Sequence, residues 1–128
     1  MKTQPSSANP PRESPPEAVL TSAQFHILLT LAEGQRHGYG IMREVESRTG
    51  GAVELGPGTL YRSLKQLLNR SLIVEVRGRE EDQTDAGNQR RSYALTPEGK
   101  VRTVEEAQRL RALVRWAEDA MGLERGRP

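Results

Sequence analysis

The chain has 128 residues, 34% of them hydrophobic and 28% charged, with a mean hydropathy of −0.71; that is one domain with tails, whose small core a second copy would help to complete. With no cysteine, disulfides and thiolate chemistry are excluded. No run approaches the ~18 apolar residues of a membrane helix or the apolar stretch of a secretory signal, so a cytoplasmic location is expected, and a net charge of +2 names no partner by itself.

Residues 1–18 hold five of the eight prolines and no aromatic residue, the composition of a disordered tail. A solvated leader is a plainer reading of it than a proline-rich binding segment. Order is expected from residue 19. Thr21 and Ser22 are N-cap candidates ahead of Phe25, Leu28, Leu29 and Ala32 at helical spacing, and Gly34 closes this first helix. A second short helix fits HGYGIMREVESRTG, with Ile41, Met42 and Val45 turned inward and Gly50-Gly51 ending it.

The third helix begins at Gly56-Pro57-Gly58 and runs to Asn69. Leu60, Leu64, Leu67 and Leu68 form its apolar stripe, while Gly58, Thr59, Arg62, Lys65, Gln66 and Asn69 share the opposite face without one acid. LIVEVRGRE then reads as a strand, EEDQTDAGN as an acidic turn-rich loop, and RRSYAL as the return strand of a hairpin. Thr96-Pro97 starts a long helix to about Met121, with residues 122–128 as a frayed end. The expected division is therefore 1–18 tail, 19–96 winged helix-turn-helix domain, 97–121 dimerisation helix and 122–128 tail. The fold class is mainly α with a small β-hairpin.

Ordinary solvated helices mix both signs of charge, so the third helix has two readings: a solvated face that lacks acids, or a face for a polyanion. Its surroundings favour the second. Residues 56–79 carry five bases (Arg62, Lys65, Arg70, Arg77, Arg79) against one acid, Glu75, a local charge of +4. Arg and Lys read guanine edges, and Gln and Asn read adenine, in a major groove that admits one helix. Gly58 keeps the helix start bare, where backbone N–H groups and the helix dipole favour anions. Arg77, Arg79, Arg90 and Arg91 bracket the hairpin loop, as suits a wing on a phosphate backbone. The acidic loop, residues 80–85, fits this poorly and favours the alternative of a module that binds an acidic partner protein.

In the final helix Val101, Val104, Ala107, Leu110, Val114, Ala117 and Met121 recur every three or four residues. The stripe is longer than a small core can cover, so a helix from a second protomer is the simplest cover. Val104, Leu110, Val114, Ala117 and Met121 are the expected dimer contacts. Trp116 reads more readily as dimer packing than as the wall of an effector pocket. His26 and His37 are the only histidines, and neither their spacing nor any glycine-rich run matches a metal or nucleotide site. No cofactor is expected, nor an enzyme.

HGYGI, GTLYRSLKQLL, SLI and RRSYALTPEGK follow one another in an order that resembles the PadR family of bacterial transcriptional regulators, over residues 21–121. The resemblance implies a winged-helix homodimer on double-stranded DNA, repressing genes and often answering to small aromatic or drug-like molecules. Its single short final helix is similar to the smaller subfamily. By position the resemblance puts Thr59, Tyr61, Arg62 and Lys65 on the DNA-reading helix, Tyr39 against phosphate, and Arg90 and Arg91 on the wing. This chain departs from the family pattern at Leu68-Asn69-Arg70, where an acidic helix end is usual, and at Ser71, where glycine is usual. Trp116 also lies later in the final helix than the stacking tryptophan of related drug-binding regulators.

Overall fold

A computed structural model describes residues 19–76 and 91–123. The expected tail at 1–18, Arg77, Arg79, Arg90, the acidic loop and residues 124–128 lie outside the described residues.

Helix α1 (Ser22–Ala32) starts at a capping box. The Gln24 N–H donates to Thr21 Oγ1 and the Thr21 N–H donates to Gln24 Oε1, each at 3.0 Å, so two otherwise unpaired amides are satisfied. The expected start holds but the expected inward face does not. Ile27, Leu28 and Leu31 are buried, whereas Leu29 and Ala32 are exposed and Phe25 is half-buried. In FHILLTLA nearly every position is apolar, so spacing alone cannot fix the phase of the helix. Two polar residues share the buried side because both are bonded: Thr30 donates to the Ile27 carbonyl at 2.9 Å, and Gln24 is held by its cap.

Strand β1 (Arg36–His37) leads directly into α2 (Gly38–Arg48), and a short loop leads to α3 (Pro57–Asn69). Ile41 and Val45 of α2 pack against Leu60, Leu64 and Leu67 of α3 and the α1 leucines. Each such side chain contributes roughly 1.5–3 kcal/mol by leaving water. Strands β2 (Ile73–Val76) and β3 (Ser92–Leu95) pair antiparallel, with Ile73 opposite Leu95 and Val76 opposite Ser92. The expected hairpin is present and gains a third strand, since β1 pairs with the free edge of β3 in the order β1-β3-β2. A two-residue strand has no alternation to read, which is why it was not expected.

Three helices end in the same way, and one does so at a cost. In a Schellman motif the residue after the C-cap takes a left-handed conformation while two amides return to the last turn. Gly50 supplies that residue after α2, at φ 62°, and Gly122 after α4 (Pro97–Ala120), at φ 76°. After α3 it is Ser71, at φ 61°, with Ser71 N–H donating to Leu68 O and Leu72 N–H to Leu67 O, each at 3.0 Å. A left-handed L-residue costs about 1–2 kcal/mol; glycine would remove that strain, and its freer unfolded chain would cancel part of the gain. Ser71→Gly should therefore raise stability by about 0.5–1 kcal/mol. Urea denaturation measures this, and an unchanged or lower midpoint would refute it.

Helix α4 is anchored on that same turn. Its N-cap Thr96 accepts from Gly99 N–H at 2.9 Å and donates Oγ1–H to the Ser71 carbonyl at 2.7 Å. The Thr96 N–H donates to the Leu72 carbonyl at 3.1 Å.

Candidate nucleic-acid interface

Helix α3 buries Leu60, Ser63, Leu64 and Leu67. At 100° per residue the side opposite them is centred on Gly58, Arg62, Lys65 and Asn69, all exposed. Thr59 and Gln66, also exposed, lie on one flank, and Tyr61 and the half-buried Leu68 on the other. The helix starts at Gly56 with no side-chain cap and with Pro57 at its first position, so its N-cap residue leaves the terminal N–H groups uncapped.

The flanks are tied to neighbouring helices. Gln24 Nε2 on α1 donates to Gln66 Oε1 at 2.9 Å, so Gln66 is not the free side chain that its place on the helix wheel suggested. On the other side Tyr61 lies over the start of α2. A Cβ on Gly38 would fall 2.9 Å from the Tyr61 hydroxyl and 3.3 Å from Cε1 and Cζ of its ring. Gly38 is thus the bare seat of Tyr61, which settles the place of Tyr61 at the joint between α2 and α3.

Tyr39, 57% exposed, stands one residue further along α2. Arg43, which the sequence reading passed over, lies with its guanidinium carbon 5.6 Å from the Tyr39 ring centre, and its Nη1 donates to the Tyr39 hydroxyl at 3.4 Å. The spacing of four residues was the available signal, since it places two side chains together on one helix face. Arg43 brings a cation to the hydroxyl that was expected to meet phosphate.

Of the four expected wing arginines only Arg91 is described, and it is engaged. Its Nε lies 3.1 Å from Glu75 Oε2 across the β2–β3 pair. Both side chains are largely exposed, so the pair is worth under about 1 kcal/mol, and a phosphate can compete for the guanidinium.

Helix α4 corrects the expected single stripe. It turns Gly99, Thr103 and Glu106 onto its own domain, a polar surface. Glu106 is 2% exposed, and it accepts from Arg102 at 3.2 Å and from Arg109 at 2.5 Å. The Arg109 hydrogen bond, with that of Arg102, holds the Glu106 carboxyl below the usual range against the opposing effect of burial. Val101 and Val104 face away from this contact and are exposed. Leu110, Val114, Ala117 and Met121 continue the buried line, but past the point where the domain ends. Leu110 is half-buried and the other three are exposed, Met121 at 73%. Three successive steps of three, from Val101 to Leu110, carry the apolar positions around the helix before steps of four, three and four keep them on one line. Trp116 is 70% exposed. Among the described residues no group of three potential ligands could hold a metal ion, and no helix is long and apolar enough to cross a membrane.

Three packed helices, with the third presenting an acid-free face and a sheet hairpin following it, define a winged helix-turn-helix protein. The family model described as the transcriptional regulator PadR-like family matches residues 27–105. The chain belongs to that family, one of transcriptional regulators and not of enzymes. An uncharacterized 37.1 kDa protein in transposon TN4556 of Streptomyces fradiae is 36% identical over 80 residues, covering 61% of this chain and 20% of that protein. The chain thus spans about a fifth of that relative's length. A PadR family transcription regulator from Clostridium difficile R20291 superposes with a TM-score of 0.64 at 26% identity, covering 79% of this chain and 98% of that one. Bacillus subtilis PadR in complex with operator DNA has a TM-score of 0.58 at 21% identity, covering 68% of this chain and 47% of that one.

Proposed function

We propose that this protein is a cytoplasmic DNA-binding repressor that occupies a palindromic operator as a homodimer. The observation that carries the reading is the exposed, acid-free line Gly58, Arg62, Lys65 and Asn69 on α3, a helix of a size to enter a major groove. Thr59, Gln66 and Tyr61 border that line. Tyr39 with Arg43, and the wing with Arg91, would meet flanking phosphates. The operator complex of the Bacillus subtilis relative supports DNA as the partner of this fold.

In this reading residues 19–96 read the DNA and residues 97–121 hold the dimer. Val104, Leu110, Val114, Ala117 and Met121 of α4 would pack on the partner, and a dyad would present two α3 helices ~34 Å apart. Trp116 lies on the same helix, so a small aromatic effector would act by competing with or remodelling that packing.

Retention on duplex DNA at two salt concentrations tests the proposal. Binding should be firm near 50 mM salt and fall at least a hundredfold by about 200 mM, because neutralised phosphates release their counterions. Absence of duplex binding at the lower salt, with capture of an acidic protein instead, would leave the protein-interaction reading standing.

A further inference from the structure

Gln24 and Gln66 lie 42 positions apart in the chain and meet where α1 begins beside α3. A primary amide accepts through its oxygen and donates through its nitrogen, and its neighbours decide which way it is turned. Here the direction is set by a group that cannot turn. The Thr21 backbone N–H can only donate, and it donates to Gln24 Oε1 at 3.0 Å. Gln24 Nε2 is then left to donate to Gln66 Oε1 at 2.9 Å. Gln66 Nε2 becomes the end of the amide not turned toward α1. Gln24 is 5% exposed and fixed in its capping box, so the relay has a rigid origin, while Gln66 at its far end is exposed.

We propose, on the DNA-binding reading given above, that Gln24 is a positioning residue that makes Gln66 a donor-only reader of DNA. A free glutamine pairs with adenine by accepting from N6 and donating to N7. With its oxygen directed at α1, Gln66 offers only N–H groups. It selects an acceptor on the duplex, favouring guanine, with its two acceptors N7 and O6, or thymine O4 over adenine, whose N7 stands beside a donor, or it meets a phosphate oxygen at the groove edge. It is mismatched against the amino groups of adenine and cytosine.

Gln24→Glu tests this without dismantling the cap, because Thr-x-x-Glu is itself a capping box. One carboxylate oxygen still accepts from the Thr21 N–H, but the other now faces Gln66 as an acceptor. Gln66 must turn over, donate toward α1 and present its oxygen to the DNA. Sequences are selected from a random duplex pool with the unaltered protein, Gln66→Ala and Gln24→Glu, and circular dichroism melts check folding. Gln66→Ala should relax the preference at one base-pair position by about three- to tenfold. Gln24→Glu should move that same position from guanine or thymine to adenine or cytosine. If the contact is to phosphate, both variants instead lose affinity on every sequence with preferences unchanged, which supports the donor-only relay and places its target on the backbone.

Gln66→Glu is the second variant should Gln24→Glu not fold. It keeps the bond from Gln24 and presents an acceptor, so it must show the same swap or the same uniform loss. The relay is overturned if Gln66→Ala alters binding while Gln24→Glu, folded, selects and binds as the unaltered protein does. It is equally overturned if Gln66→Ala changes nothing. An unaltered protein that retains no duplex overturns the DNA-binding reading together with the relay.

Discussion

Gly99→Ala should lower stability by about 3 kcal/mol, seen as a fall in melting temperature on the order of 15 °C. Gly99 is buried in the first turn of α4, and a Cβ there would overlap the Leu72 carbonyl oxygen outright. It would also lie 3.0 Å from the carbonyl carbon and 3.1 Å from Leu95 Cδ2. The obstacle is backbone, so no rotamer change relieves it. That carbonyl accepts from Thr96 N–H, and its neighbour at Ser71 accepts from Thr96 Oγ1. Withdrawing α4 weakens both bonds, at about 1 kcal/mol each. Alanine's better helix propensity offsets about 1 kcal/mol of the total. A thermal melt within about 2 °C of the unaltered protein would show that α4 shifts freely, and that its seat on the α3–β2 turn does not hold it.

Arg62→Ala has the second large effect. Arg62 sits on the centre line of the exposed α3 face, one turn beyond the bare helix start, and α3 contributes no carboxylate to hold it. A guanidinium so placed can make two parallel bonds to guanine O6 and N7. Its loss should cost about 1–3 kcal/mol on the cognate site and less on random duplex. Competition titrations with both DNAs decide the matter, since equal losses on the two would make Arg62 a phosphate contact. Folding should be unaffected, because truncating an exposed helix residue to alanine usually changes stability by less than about 0.5 kcal/mol.

The features legible in the sequence were those written within a few neighbouring residues. The cap at Thr21, the Thr96-Pro97 start, the Gly50-Gly51 stop and the leucine stripe of α3 all stand where spacing put them. The phase of α1 was not legible, because a helix apolar on most sides carries no phase, and its inner face is chosen by what packs on it. Strand β1 exists only because His37 and Arg36 find the open edge of β3. The candidate site divides in the same way. The exposed row on α3 follows from its own periodicity, but its flanking contacts join residues far apart in the chain. Gln24 meets Gln66, Gly38 seats Tyr61, and Glu75 holds Arg91. The α4 stripe was read as one face because steps of three and four look alike in a list, although each step of three falls back about 60° on a helix. The departure at Ser71 was visible as an unusual residue, but its meaning needed the backbone angle.

The seat of Tyr61 on Gly38 has a consequence for what the protein measures. Because the Tyr61 ring of α3 rests on the bare backbone of Gly38, with no side chain of α2 beneath it, the start of α2, which carries Tyr39 and Arg43, is held close to α3, which carries Arg62 and Lys65. On the DNA-binding reading these two groups, one for the sugar-phosphate rim and one for the groove floor, would work as a calliper. It fits a duplex whose groove is wide enough to admit a helix, and the deep, narrow major groove of A-form RNA does not meet that condition. On the DNA-binding reading, the joint gauges the form of the double helix before any base is read.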